Sequence, residues 1–277
     1  MVRRLVPCLV VLAALAIAPS AFAAFPGPYA VQGGQGVLSR DGSLRFVAAK
    51  SPEGTVVNAI STEDKSVQMS RTFDSALGVV TLTPDGAGEG LTRDGSAFVL
   101  QTLGFEPKTQ FVFLRTSDLS TEQTFTLRGT FAFDALSPSG SMLYLIQHKT
   151  VDDVNHYIVR GYNLRTHTLL PTRIADKTQK SWVMQGWAVN RATSANGRWV
   201  YTLYANPGGY PFVHALDTVR GVAHCVGVPW PQTADQGEVF NFTLALKGNR
   251  LALVQANRDV YRFIDTKSWR VSKPAVR

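Results

Sequence analysis

The stretch LSPSGSMLYLI, Leu136–Ile146, decides how the rest of the chain is read. It ends one strand, turns at Pro138-Ser139-Gly140, and opens a second strand with the apolar run Leu143–Ile146. The same shape returns as LSRDGSLRFV from Leu38, LTRDGSAFVL from Leu91, TSANGRWVYTL from Thr193 and LALKGNRLALV from Leu244. In each turn Asp, Asn or Ser can close a side-chain hydrogen bond. The glycine supplies the left-handed backbone that a tight hairpin requires. Gly42, Gly95, Gly140, Gly197 and Gly248 are separated by 53, 45, 57 and 51 residues. Repeats at that spacing, built from short Val/Leu/Phe/Tyr/Thr runs with no 3.6-residue periodicity, predict sheets and exclude a helical solenoid.

Each unit continues in the same order. A second strand follows the turn, then a loop of variable length, then a third strand closing on Ile60-Ser61-Thr62, Leu114-Arg115-Thr116-Ser117, Tyr162-Asn163-Leu164-Arg165-Thr166, Leu216-Asp217-Thr218 or Ile264-Asp265-Thr266. A weaker fourth strand comes last. Four antiparallel strands per unit make a propeller blade. The turn Leu136–Gly140 with Leu143-Tyr144-Leu145, and the ending Ile264–Thr266, resemble the secreted bacterial β-propellers of the broad WD40-like and YVTN type. The resemblance runs from about Val37 to about Ser272 and implies architecture only, because the chain has neither a Trp-Asp dipeptide nor a Tyr-Val-Thr-Asn tetrapeptide.

The expected fold is therefore all-β, a five-bladed β-propeller of four-stranded antiparallel blades, at 36–76, 88–128, 131–173, 187–228 and 239–275. Thr83-Pro84-Asp85-Gly86 resembles a further turn, but Asp94-Gly95 follows too soon for a sixth blade. Leu77–Glu89 is accordingly expected to be an elaborated connection between blades. Alternating residues such as Phe46, Leu145, Tyr201 and Leu253 are expected to pack between neighbouring blades. Circular packing is expected to bury both faces of every blade. Ala24–Gln32 is placed either as a strand latching the last blade to the first, or outside a seam closed by side chains alone.

Residues 1–23 carry Arg3-Arg4, an apolar run to Ala18, and Ala21-Phe22-Ala23, the pattern of a secretory signal peptide cut before Ala24. The run is shorter than the ~20 residues of a membrane span. The expected location is therefore outside the cytoplasm, secreted or in the periplasm or cell envelope. The 277 residues hold 28 Lys+Arg and 20 Asp+Glu, a net charge of +8, spread without a basic cluster. That distribution reads as solvated surface and gives no footprint for nucleic acid. After signal removal Cys225 is the one cysteine left, so no internal disulfide is expected, and it reads as a small core residue.

In a propeller the glycine turns lie on one face, and the second-to-third-strand and blade-to-blade connections lie on the other. Asp41 and Asp94 therefore read as turn formers. Function is expected on the loop face, in His148–Asn155, Ala175–Gln185, Ala205–Tyr210 and Pro229–Glu238. The candidate ligand-binding residues are His148, Asp152, Asp153, Trp182, Tyr210, Trp230, Asp235 and Glu238. Trp182 and Trp230 are the candidates for an exposed stacking surface. Two functions fit. One is a binding or interaction module for a protein, cell-wall or small-molecule partner. The alternative is an extracytoplasmic lactone or glycoside hydrolase using Asp152 or Asp153 with Asp235 or Glu238, with or without a bound cation. The other reading of these acids is ordinary solvated charge. The sequence contains no nucleophile elbow, no His-Glu-x-x-His and no phosphate-binding glycine loop. It names no cofactor.

Overall fold

The computed structural model describes residues 29–83, 88–178, 183–206, 208–231 and 236–274. They form five antiparallel sheets, with a single 3-10 turn at Gln236–Asn241 as the helical element. Strand β1 is Tyr29–Val31. Sheet 1 contains β2 (Val37–Leu38), β3 (Leu44–Ser51), β4 (Gly54–Ser61) and β5 (Val67–Phe73). Sheet 2 contains β6 (Leu77–Thr81), β7 (Ala97–Thr102), β8 (Lys108–Arg115) and β9 (Thr121–Arg128), with β1 added beside β6. Sheet 3 contains β10 (Phe131–Leu136), β11 (Met142–His148), β12 (His156–Asn163) and β13 (Thr168–Ile174), with the short β14 (Met184–Gln185) also on β12. Sheet 4 is β15 (Trp187–Thr193), β16 (Trp199–Ala205), β17 (Phe212–Asp217) and β18 (Val222–Gly227). Sheet 5 is β19 (Phe242–Lys247), β20 (Arg250–Gln255), β21 (Val260–Asp265) and β22 (Val271–Ser272).

The recurring turn is built by one local chemistry. The amide of Gly42, Gly95, Gly140 or Gly197 donates to the carbonyl three residues earlier at 2.7–2.9 Å. The hydroxyl of Ser39, Thr92, Ser137 or Ser194 accepts the amide five residues on, at 2.9–3.0 Å. All five turn glycines have φ between 60 and 78°. The third-strand ending locks the same turn from the side. Thr62, Thr116 and Thr218 donate their hydroxyls to the carbonyls of Gly42, Gly95 and Gly197 at 2.7, 2.7 and 3.0 Å. Thr266 does the same to Asn249 at 3.1 Å. In sheet 3 the equivalent position is Leu164, which keeps only the backbone half of the clamp, its amide donating to Ser141 at 2.9 Å.

Packing follows from the alternation within each strand. Phe46 and Val57 of sheet 1 meet Phe98 and Leu114 of sheet 2, with the Phe46 and Phe98 rings stacked at 4.6 Å. Phe111 and Phe113 meet Phe133 and Leu145 between sheets 2 and 3. Tyr144 and Ile146 meet Val200 and Tyr204 between sheets 3 and 4, and Tyr201 and Leu203 meet Leu251 and Leu253 between sheets 4 and 5. Phe46, Leu145, Tyr201 and Leu253 thus pack between neighbours as expected, each such side chain contributing about 1.5–3 kcal/mol by burial. Side-chain staples reinforce these contacts. The Leu77 amide donates to Thr55 Oγ1 at 2.8 Å and the Phe131 amide to Thr109 Oγ1 at 2.9 Å, pinning the start of one sheet to the third strand of the one before.

Three expectations need correction. Leu77–Thr81 is not a connection but strand β6, buried at every position. It pairs β7 on one edge and β1 on the other, and apolar clusters cover both its faces, Leu77 and Val79 against sheet 1 and Val80 against sheet 3, so its LGVVT run shows no alternation. Tyr29–Val31 does not latch the last sheet to the first; it pairs with Val79–Thr81 in sheet 2. Finally, not every blade face is deeply buried. Among the described residues the apolar clusters join sheets 1–2, 2–3, 3–4 and 4–5, and none joins sheet 5 to sheet 1. Val47, Val56 and Ile60 on the outer face of sheet 1 remain half-buried.

Candidate functional site

Antiparallel order within each sheet puts the glycine turns and the third-to-fourth-strand turns at one end. The β11–β12, β13–β15, β16–β17 and β18–β19 connections emerge at the other end, here called the loop face. The loop-face candidates named from the sequence separate into buried and exposed groups.

His148 closes β11 and is 3% exposed. Its ring packs edge-on to Phe105 at 4.9 Å, and Nδ1 lies 2.8 Å from the Val154 carbonyl, to which it donates. Burial pushes its pKa down to about 4, against the opposing pull of that carbonyl bond and of Asp153. A neutral, enclosed imidazole is a brace for the 149–155 loop. Trp230 is 8% exposed, with its ring edge-on to Phe242 at 5.3 Å and Tyr261 at 5.4 Å. It belongs to the core between sheets 4 and 5 and offers no open stacking surface. Trp182 and Asp235 lie outside the described residues.

The remaining candidates reach solvent. Asp152 is exposed. Asp153 accepts from His156 Nδ1 at 2.8 Å and sits 3.4 Å from Lys149 Nζ. The His156 hydrogen bond is the main reason its carboxyl is held below the usual range. That carboxylate organises its own loop. Tyr210 is 53% exposed at the end of the β16–β17 connection, and Glu238 is exposed on the 3-10 turn before β19. The acid pairing a hydrolase would need, Asp152 or Asp153 with Asp235 or Glu238, draws on connections of different sheets. Among the described residues no three His, Cys, Asp or Glu side chains are grouped to hold a metal ion.

The loop face also carries exposed apolar side chains. Val151, Val183, Tyr210 and Phe240 are 39, 44, 53 and 39% exposed, and all four project from loop-face connections of sheets 3, 4 and 5. The connections are tied together. Gln185 Nε2 donates to Asn206 Oδ1 at 3.1 Å, His156 faces Gln185 across the β12–β14 pairing, and Phe240 lies 6.2 Å from Trp187. Among the described residues the exposed apolar side chains of this end are Val151, Val183 and Phe240 as well as Tyr210. Apolar residues inside loop segments were the available signal.

Two polar arrangements were not legible in the sequence. Asp134 on β10 and Arg191 on β15 form an ion pair at 2.7 Å with side chains 2 and 5% exposed. Asp176 is 6% exposed and clamps its loop onto β18, accepting from Thr178 Oγ1 at 2.6 Å and from the Cys225 amide at 2.8 Å. The Cys225 thiol is partly buried, 3.6 Å from His214 Nδ1, and burial pushes its pKa up to about 12. It is not a reactive thiolate, but contrary to expectation it is not a core residue: it is half-buried and in none of the hydrophobic clusters. His214 is itself buried, and burial holds its pKa below the ordinary value.

No protein-family model matches this chain, and no curated protein matches it. Solved structures do. A putative TolB from Agrobacterium tumefaciens is similar with a TM-score of 0.51 at 12% identity, covering 89% of this chain and 79% of that one. A functionally unknown protein from Desulfotomaculum acetoxidans is similar with the same TM-score of 0.51 at 12% identity, covering 90% of this chain and 79% of that one. Likeness at that identity shows the fold alone, the broad β-propeller architecture.

Proposed function

We propose that this chain is an extracytoplasmic interaction module, a five-bladed propeller that meets its partner through the loop face of sheets 3 to 5. The observation that carries this reading is the gathering of Val151, Val183, Tyr210 and Phe240, four of the seven exposed large apolar side chains among the described residues, on the connections of one face. Solvating the exposed apolar side chains of this face costs free energy that a partner's apolar surface recovers. The tied Gln185–Asn206 and Asp153–His156 contacts hold its frame in place before binding, which lowers the ordering cost of association. Exposed Asp152, Glu238 and Lys149 give it a polar rim.

Export rests on the Arg3-Arg4 start, the apolar run and Ala21-Phe22-Ala23. Among the described residues no helix is long and apolar enough to cross a membrane. The two assignments are tested separately. Mass spectrometry of the chain from a bacterial culture should find a mature N-terminus at Ala24 in the exported fraction; a cytoplasmic, uncut chain rejects export. A photo-crosslinking amino acid at Tyr210 or Phe240 should capture one discrete partner. The same group at Val219, 62% exposed on the glycine-turn end, serves as the control. Equal capture from all three positions, or none from Tyr210 and Phe240, rejects the loop face.

A further inference from the structure

The glycine-turn end, opposite the proposed interaction surface, holds a cavity of about 350 Å³ whose walls come from sheets 1 to 4. That volume falls within the ~300–1,000 Å³ range of small-molecule sites. Arg40, Glu89, Arg93, Ser137, Arg191 and Thr193 supply its polar lining. Three of these are arginines brought together from turns and strands far apart in the chain.

Their hydrogen bonds show how they are held. Arg40 Nη1 donates to the Arg93 carbonyl at 2.6 Å, and Arg93 Nη2 donates to the Ala195 carbonyl at 2.8 Å, so the turns of sheets 1, 2 and 4 are linked across the opening. Neither guanidinium is in an ion pair among the described residues. Of the nearby acids, Asp41 and Asp94 are held by their own turns and Asp134 by Arg191, while Glu89 lines the cavity beside the three arginines. Asp41 accepts from Ser39 Oγ at 2.7 Å, and Asp94 accepts from Thr92 Oγ1 at 2.7 Å. Arg191 is the deepest of the three, with a side chain 5% exposed; Nη2 is bound to Asp134, while Nε is a buried donor with no partner among the described residues. A buried donor left unpaired is costly, and an acceptor lodged beside it in the cavity would satisfy it.

We propose that this cavity is a second binding site, for a small molecule carrying an oxyanion, with Arg191 Nε at its floor and Arg40 and Arg93 at its mouth. Each guanidinium has donors left over after its carbonyl or carboxylate bond, and charge-assisted N–H···O bonds to an oxyanion are the strong kind. Carboxylates and phosphates share that chemistry, and the probes separate them. The site is independent of the loop-face reading and stands or falls without it.

Calorimetric titration of the full chain with inorganic phosphate, and separately with citrate, tests the assignment. Saturable binding of phosphate identifies a phosphoryl ligand, and saturable binding of citrate a polycarboxylate. Either should weaken as sodium chloride is raised. Arg93→Gln and Arg40→Gln each remove a guanidinium at the mouth and should each weaken binding about tenfold or more. If Arg93→Gln loses its fold with the Ala195 bond, Arg40→Gln alone carries the comparison. Absence of binding by both probes in the millimolar range overturns the proposal. So does binding that neither substitution weakens.

Discussion

Lowering the pH from 7 to 5 should destabilise this fold through His148, and by an amount the structure sets. The ring is 3% exposed and neutral, and burial brings its pKa to about 4. In the unfolded chain the value returns to about 6.5. As the pH falls, the unfolded state takes up the proton first, so stability is full above about pH 6.5 and drains away between about 6.5 and about 4. At pH 5 the loss is about 2 kcal/mol. The carboxylates do not confuse this window, since Asp41, Asp64 and Asp94 are lowered to about 2 by their turn hydrogen bonds and lose their contribution only below the ordinary carboxylate range. His214 shifts in the same direction as His148, so the wild-type slope alone is not diagnostic. His148→Asn isolates the group, because its amide can still donate to the Val154 carbonyl but carries no titrating proton. Urea unfolding of both proteins at pH 7 and pH 5 should show the wild type losing about 2 kcal/mol more than the variant. Equal losses would refute the claim that His148 is held neutral by burial.

Two further outcomes follow from particular contacts. Gly140→Ala should cost about 1–2 kcal/mol, purely as backbone strain, since φ is 65° and an added Cβ meets nothing within 4 Å; an unchanged urea midpoint would deny the turn its left-handed requirement. Asp134→Ala should cost about 3–5 kcal/mol by leaving Arg191 charged and buried, whereas Asp134→Leu with Arg191→Met should recover much of it; chemical denaturation of the three proteins decides whether the pair stabilises the fold or is merely tolerated there.

How much could be read in advance differed by kind of residue. The turn at Leu136–Ile146 was legible because its requirement is local. A glycine with φ near 65°, a Ser hydroxyl reaching the amide five residues on, and an alternating strand are all decided within one hairpin. The repeat of that hairpin then carried the sheet count. Strand β6 was missed because an inner strand paired on both edges and buried throughout loses the alternation by which strands are recognised. Antiparallel order fixes which connections share an end, but the exposure of the side chains on them was not readable. His148 and Trp230 look like any loop-border His and Trp until Phe105, Phe242 and Tyr261 arrive to cover them.

The amino-acid sequence alone determined the hairpins, their spacing and hence the all-β class, because backbone conformation answers to neighbours a few residues away. Tertiary structure decided the rest. Asp134 reaches Arg191 across 57 residues, and Arg93 reaches Ala195 across 102. Which charges are paired, which rings are covered and which buried donors lack a partner depend on contacts between sheets, and side chains that distant along the chain carry no local sign of one another.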